Sequence, residues 1–159
     1  MNKGSATFLQ VVIGLLGVAT ATLMLWEPHL EGRNAHATTF EIYFHDPFLI
    51  CAYIASIPVF FAVFQAIKVI GYAGRNEMFS PAAVKALRTI KFCAIAVIGF
   101  AAGFEIYIFS INTSDDRAGG VFIGVLIAFI STVIAAAANM FQRILQNGVD
   151  LKSENDLTV

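Results

Sequence analysis

Four stretches of the chain, about residues 6–26, 47–72, 84–110 and 119–141, are each long and apolar enough to cross a bilayer as a helix. A hydrocarbon layer takes roughly 20 mostly apolar residues of helix. With four such lengths set aside, nothing of globular size remains among the 159 residues. The pattern predicts an all-α fold, an integral membrane bundle of four transmembrane helices forming a single domain over 1–159. An outer loop at 27–46, a cytoplasmic loop at 73–83 and a cytoplasmic tail at 146–159 complete it. At 58% hydrophobic and 13% charged residues the chain departs from a soluble balance, so the lipid bilayer is the first partner implied.

Breakers separate the spans: Pro28 and Gly32 after the first, Gly71 and Gly74 after the second, and Asn112 to Asp116 after the third. The third helix has the best-marked start. Ser80 suits an N-cap, and Pro81 falls at the first helical position, where its missing N–H costs nothing. Lys3 before an apolar run, with Ala19-Thr20-Ala21 at cleavage-site spacing, has the outline of a signal peptide. The run continues to Trp26, however, which is the length of a span.

The basic residues orient the spans, because cytoplasmic loops carry the excess of Lys and Arg. With the N-terminus inside, Lys3, Lys68, Arg75, Lys85, Arg88, Lys91, Arg143 and Lys152 fall on the cytoplasmic side, and Arg33 and Arg117 outside. Both termini are then cytoplasmic. Trp26, Tyr43, Phe44 and Phe48 form an aromatic belt at the outer interface, and Tyr72 and Phe79 flank the inner one. A formal net charge of −1 argues against direct contact with nucleic acid.

Small residues mark where membrane helices approach closely. Gly120, Gly124, Ala128, Ser131, Ala135, Ala138 and Gln142 make one stripe on the fourth span. Gly99 and Gly103 form a G-x-x-x-G pair on the third, and Ala52, Ala55, Val59, Ala62 and Ala66 recur on the second. These stripes are expected inside the bundle, with a homo-oligomer contact as the alternative for one of them. Cys51 and Cys93 read as small buried hydrophobes about 20 Å apart along the bilayer normal, too far for a disulfide.

Candidate functional residues lie in three places. Glu105, in the outer half of the third span, must be neutral, paired or hydrated, because burying a lone carboxylate is expensive. Thr20, Thr22 and Tyr53 sit at similar depth as potential donors. Toward the inner side Gln10, Gln65, Lys68, Lys91, Asn139 and Gln142 come from all four spans, as interhelical glue or as the lining of a polar cavity. Glu105, Gln65, Asn139 and Gln142 are the candidate intramembrane polar site. The third place is the cytoplasmic face, where Arg75 and Phe79 of the loop and Leu151, Glu154, Asp156 and Leu157 of the tail are candidates for a docking surface.

The outer loop holds His29, His36 and His45, but no pair has the one-turn spacing of helical ligands, and no metal is expected. Phe40, Ile42 and Phe44 alternate with Thr39, Glu41 and Tyr43, which predicts a short extended segment there. No nucleophile elbow, phosphate loop or H-E-x-x-H pair occurs, so neither catalysis nor a cofactor is expected.

The junction Phe79-Ser80-Pro81 with Val84, Leu87, Arg88 and Ile90, and the tail Leu151-Lys152-Ser153-Glu154-Asn155-Asp156-Leu157-Thr158-Val159, carry a family likeness. In these the chain resembles the bacterial membrane family catalogued as domain of unknown function 2975, although Ala82 and Ala83 stand where that family commonly has an acidic or amide residue. The resemblance implies a small inner-membrane protein without established activity or functional residues, often encoded beside a helix-turn-helix regulator. Three functions follow as alternatives. One is a membrane-anchored regulatory protein docking such a cytoplasmic regulator. The others are a transporter, channel or sensor built around Glu105, and an immunity or stress-protection protein.

Overall fold

A computed structural model describes residues 2–26, 38–44, 47–110 and 117–156, and all of its regular structure is helical. The elements are α1 (Lys3–Trp26), α2 (Thr39–Phe44), α3 (Pro47–Gly74), α4 (Pro81–Ser110) and α5 (Arg117–Asp156). Apart from α2, each is long and apolar enough to cross a membrane, as the sequence predicts. Large apolar side chains point outward on every long helix, among them Phe8, Ile57, Ile106 and Phe122. In water such a surface would aggregate, and in lipid it is the solvated face.

The helices pack in chain order: α1 on α3, α3 on α4 and α4 on α5. Lying between α3 and α5 and packed most extensively against α5, α4 is the most buried, with Ala86, Cys93, Ala94, Val97 and Ala101 sealed from the surface. The contact with α5 is antiparallel and runs almost end to end. Gly120 meets Ile108, Gly124 meets Glu105, Asn139 meets Lys91, Leu145 meets Val84 and Leu87, and Gly148 meets Phe79. Along this seam the small stripe of α5 is turned inward, with Gly124, Ser131 and Ala138 buried. Cys51 and Cys93 are both free thiols.

Gly99 and Gly103 are not part of this packing. They stand two residues on from the buried Val97 and Ala101, which on a helix is most of the way round to the opposite face. A Cβ at either position would meet nothing within 4 Å. The close approach between α1 and α3 instead falls at Gly74, where a Cβ would lie 2.5 Å from that of Ala6, and at Gly71, beside Gln10.

The helix ends follow from local chemistry. Asn76 adopts φ 60° and closes α3 in a Schellman arrangement, with Glu77 N–H donating to Tyr72 C=O at 2.8 Å and Asn76 N–H to Ala73 C=O at 3.4 Å. Ser80 caps α4 as expected, its Oγ accepting from Ala83 N–H at 3.3 Å. The expected extended segment in the outer loop is a helical turn. Thr38 and Glu41 make a capping box, the Thr38 N–H and hydroxyl both donating to Glu41 Oε2, at 2.9 and 2.8 Å. Phe40 and Phe44, one turn apart, then stack at 5.0 Å between centroids, which strand alternation would not allow.

Pro58 sits inside α3 without ending it, and Ser56 Oγ donates to Tyr53 C=O at 2.7 Å beside it. A substitution pair separates packed from lipid-facing glycines. Gly74→Ala should push α1 off α3 and destabilise the protein in detergent by about 1–3 kcal/mol, whereas Gly103→Ala should be neutral or add up to roughly 1 kcal/mol through helix propensity. Thermal unfolding reads both. A loss at Gly103 matching that at Gly74 would mean that the outward face packs against a second copy.

Candidate functional site

The structure separates the candidate intramembrane residues into two groups, outer and inner in the orientation expected from the basic residues. Glu105 belongs to the outer group, five residues before the end of α4, with its carboxyl lying against the bare backbone of Gly124. A side chain at position 124 would occupy the space the carboxyl fills. Both carboxyl oxygens are buried, and neither has a hydrogen-bond partner among the described residues. The hydroxyls that the sequence places at this depth are spent elsewhere. Thr20 donates to Leu16 C=O at 2.8 Å, Thr22 to Val18 C=O at 2.9 Å, and Tyr53 to Met24 C=O at 3.3 Å. The two threonine hydroxyls are satisfied on their own helix, as is usual in lipid, and the Tyr53 hydroxyl instead ties α3 to α1.

The inner group lies about 20 Å away along α4 by helical rise. There Lys91 Nζ donates to Asn139 Oδ1 at 3.5 Å across the seam and lies 5.1 Å from the Phe92 ring centroid. Gln142 shares the inward face of α5 with Asn139, and its Oε1 is buried without a partner. Gln10 ties α1 to α3, its amide donating to Ile67 C=O at 2.8 Å. Gln65 is half-buried on α3, and Lys68 is exposed with its ammonium 4.5 Å over the Phe64 ring. Interhelical glue therefore accounts for Gln10, Lys91 and Asn139, and Gln142 keeps an unused acceptor.

The cytoplasmic-face candidates are built around the end of α5. This helix of 40 residues is about 60 Å long by its rise, twice the ~30 Å hydrocarbon layer. Beyond the span its first two turns are held by a core in which Ala83, Val84 and Leu87 of α4 enclose Leu145, with Tyr72, Met78 and Val149 packed on them. Phe79 of the α3–α4 loop lies on Gly148, so loop and tail meet at a defined contact. Arg75, Leu151 and Glu154 are exposed, Leu151 by 68%. Asp156 closes the helix. Leu157 and the three histidines, His29, His36 and His45, lie outside the described residues. Among the described residues no three His, Cys, Asp or Glu side chains cluster as metal ligands would.

The profile of a family described as a protein of unknown function, DUF2975, matches residues 10–159. The chain belongs to this family. It is also 36% identical over 161 residues to the uncharacterized membrane protein YoaS of Bacillus subtilis (strain 168), the alignment covering 100% of each chain. No solved structure matches it. The four apolar spans agree with the description of that relative as a membrane protein, and neither the family nor the relative indicates an enzymatic activity.

The state of Glu105 is open to measurement. A buried carboxyl without a donor costs about 1–3 kcal/mol, so Glu105→Met, similar in length and apolar, should raise the unfolding temperature in detergent. Glu105→Gln should stay near the parent. Loss of stability in the Met variant would show that the carboxyl holds a partner of its own, such as water or a cation.

Proposed function

We propose that the protein is a membrane-anchored interaction protein of the bacterial cytoplasmic (inner) membrane, which presents the α3–α4 loop and the end of α5 as a docking surface for a soluble cytoplasmic protein. The observation that carries this reading is the contact of Phe79 with Gly148, since it makes one surface of two segments 69 residues apart in the chain. A surface already ordered loses less entropy on binding than a frayed tail. Its chemistry is mixed: Arg75 and Lys152 beside Glu77, Asp150 and Glu154, with Phe79 and Leu151 exposed as apolar anchors. The partner class, a helix-turn-helix regulator, comes from the family resemblance alone.

A specific observation also favours a second reading, a transporter or sensor. Glu105, sealed against Gly124 with no donor, is the kind of intramembrane carboxyl that ion and proton pathways use. The two readings use opposite ends of α4.

Orientation is the first requirement of the docking reading. In a background lacking Cys51 and Cys93, a single cysteine at position 33 should react with an impermeant thiol reagent in intact cells, and one at position 75 only after permeabilisation. The reverse pattern would place the docking surface outside and end the proposal. Docking itself is read by a photo-crosslinking residue at position 151, which should capture one soluble protein in cells, while the same residue at lipid-facing position 122 should not. Deleting Ser153 to Val159 should abolish the capture and leave the amount of protein in the membrane unchanged, because no span is touched. Capture that survives the deletion would remove the tail from the interface.

A further inference from the structure

The inner ends of α4 and α5 leave a groove between them that the docking surface does not use. It has a volume of about 410 Å³, within the ~300–1,000 Å³ range of small-molecule clefts. Lys85 and Arg88 line it on α4, one turn apart, with Thr89 beside them and Gln146 opposite on α5. Phe92 forms the end toward the membrane and Val149 the end toward the cytoplasm. No carboxylate lines it; the nearest acid along α5, Asp150, already accepts from Gln146 Nε2 at 2.8 Å. Among the described residues neither cation is neutralised by an ion pair.

The depth of the groove follows from the length of α4. Its 30 residues run about 45 Å by helical rise, against ~30 Å of hydrocarbon. The excess must project at the Pro81 end, because the outer end from Ile106 to Phe109 is apolar and exposed while Lys85, Arg88 and Lys91 crowd the inner end. Lys85 and Arg88 therefore stand at the level of the lipid phosphates, and Phe92, which is 58% exposed, at the start of the acyl chains. Two unpaired cations over an apolar step match a phosphodiester joined to a hydrocarbon tail.

We propose that this groove is a binding site for one anionic phospholipid of the inner leaflet, its headgroup phosphate held by Lys85 and Arg88 and an acyl chain laid along Phe92. Arg88 supplies a planar fork for two phosphate oxygens and Lys85 a point charge beside it, while Gln146, which gives one amide proton to Asp150, keeps a second as a neutral donor, and the Thr89 hydroxyl is spent on Lys85 C=O at 3.0 Å. The site rests on the same orientation as the docking surface but not on any protein partner. A lipid bound there bridges α4 and α5 where α5 leaves the membrane, and so should stabilise the folded state.

The test uses the purified full-length protein in a neutral detergent, with thermal unfolding and native mass spectrometry as readouts. Adding phosphatidylglycerol should raise the unfolding temperature saturably and leave one lipid retained per chain, and phosphatidylcholine should do neither. Lys85→Gln/Arg88→Gln, both at exposed positions, should weaken phosphatidylglycerol binding about ten-fold or more. The charge-matched variant Lys3→Gln/Lys152→Gln should bind like the parent. Equal stabilisation by the two lipids, equal losses in the two double variants, or full stabilisation by inorganic phosphate alone would each overturn the proposal. The first would mean generic solvation, the second diffuse attraction of a basic surface, and the third a free-anion site.

Discussion

The antiparallel contact between α4 and α5 is the constraint on which the other helix positions depend. Lipid tails are as apolar as the side chains they would replace, so within the membrane two helices gain little from hiding hydrophobic surface and much from close backbone approach. Gly120, Gly124, Ala128, Ser131, Ala135 and Ala138 provide that approach on α5, and Glu105 and Ile108 fill the gaps opposite the two glycines. With α5 held on one side and α3 on the other, α4 is an inner member of a row of four spans. In this row α1 packs chiefly on α3, through Ala6 against Gly74 and the Gln10 amide on Ile67 C=O.

The energetic regime changes at the inner end. Ala83, Val84, Leu87 and Leu145 form the one core cluster among the described residues, and they sit where α4 and α5 leave the hydrocarbon. There water competes again, and burying apolar surface stabilises by about 25 cal/mol per Å². The larger side chains Leu87, Leu145, Tyr72 and Met78 accordingly gather at this level, while the buried positions deeper in the membrane are mostly alanine and glycine. Membrane packing fixes the register, and the aqueous core holds the loop and the emerging helix against it.

This division also explains what was legible in the sequence. The spans, the Ser80-Pro81 start of α4 and the inward stripe of α5 each have a strong local cause: length of apolar run, cap chemistry, or a repeat of small residues over many turns. Gly99 and Gly103 misled because two glycines make a stripe only if their face is the packed one, and the face of α4 was decided by Ala94, Val97 and Ala101 instead. The turn at α2 was hidden by an alternation of aromatic and polar residues over Thr39–Phe44, although the Thr38–Glu41 spacing that caps it was there to be read. The intramembrane site was legible as residue types and not as partners. Which donor reaches Glu105 depends on side-chain reach across two helices, and no periodicity encodes that. The Lys85–Arg88 groove was missed for a related reason: its second wall, Gln146 and Val149, lies some 60 residues away in sequence.

The distribution of polar groups separates structural from functional roles. Gln10 and the Lys91–Asn139 pair each join two neighbouring helices, and such bonds contribute roughly 0.6 kcal/mol, rarely more than about 1.7. They look like what they do: they fix register at small expense. Glu105 joins nothing, since both its oxygens are buried and without a donor. Folding alone would favour an apolar side chain opposite Gly124, because a methylene there would fill the same gap without desolvating a carboxyl. The seam accepts a glutamate here because Gly124 leaves the space that its carboxyl fills, and the choice of a carboxyl over a methylene is a cost in packing and desolvation rather than a gain in register. The same seam between α4 and α5 ends, at its other extremity, in the core that holds the Phe79–Gly148 contact, where large apolar side chains replace the glycine and alanine of the membrane stretch.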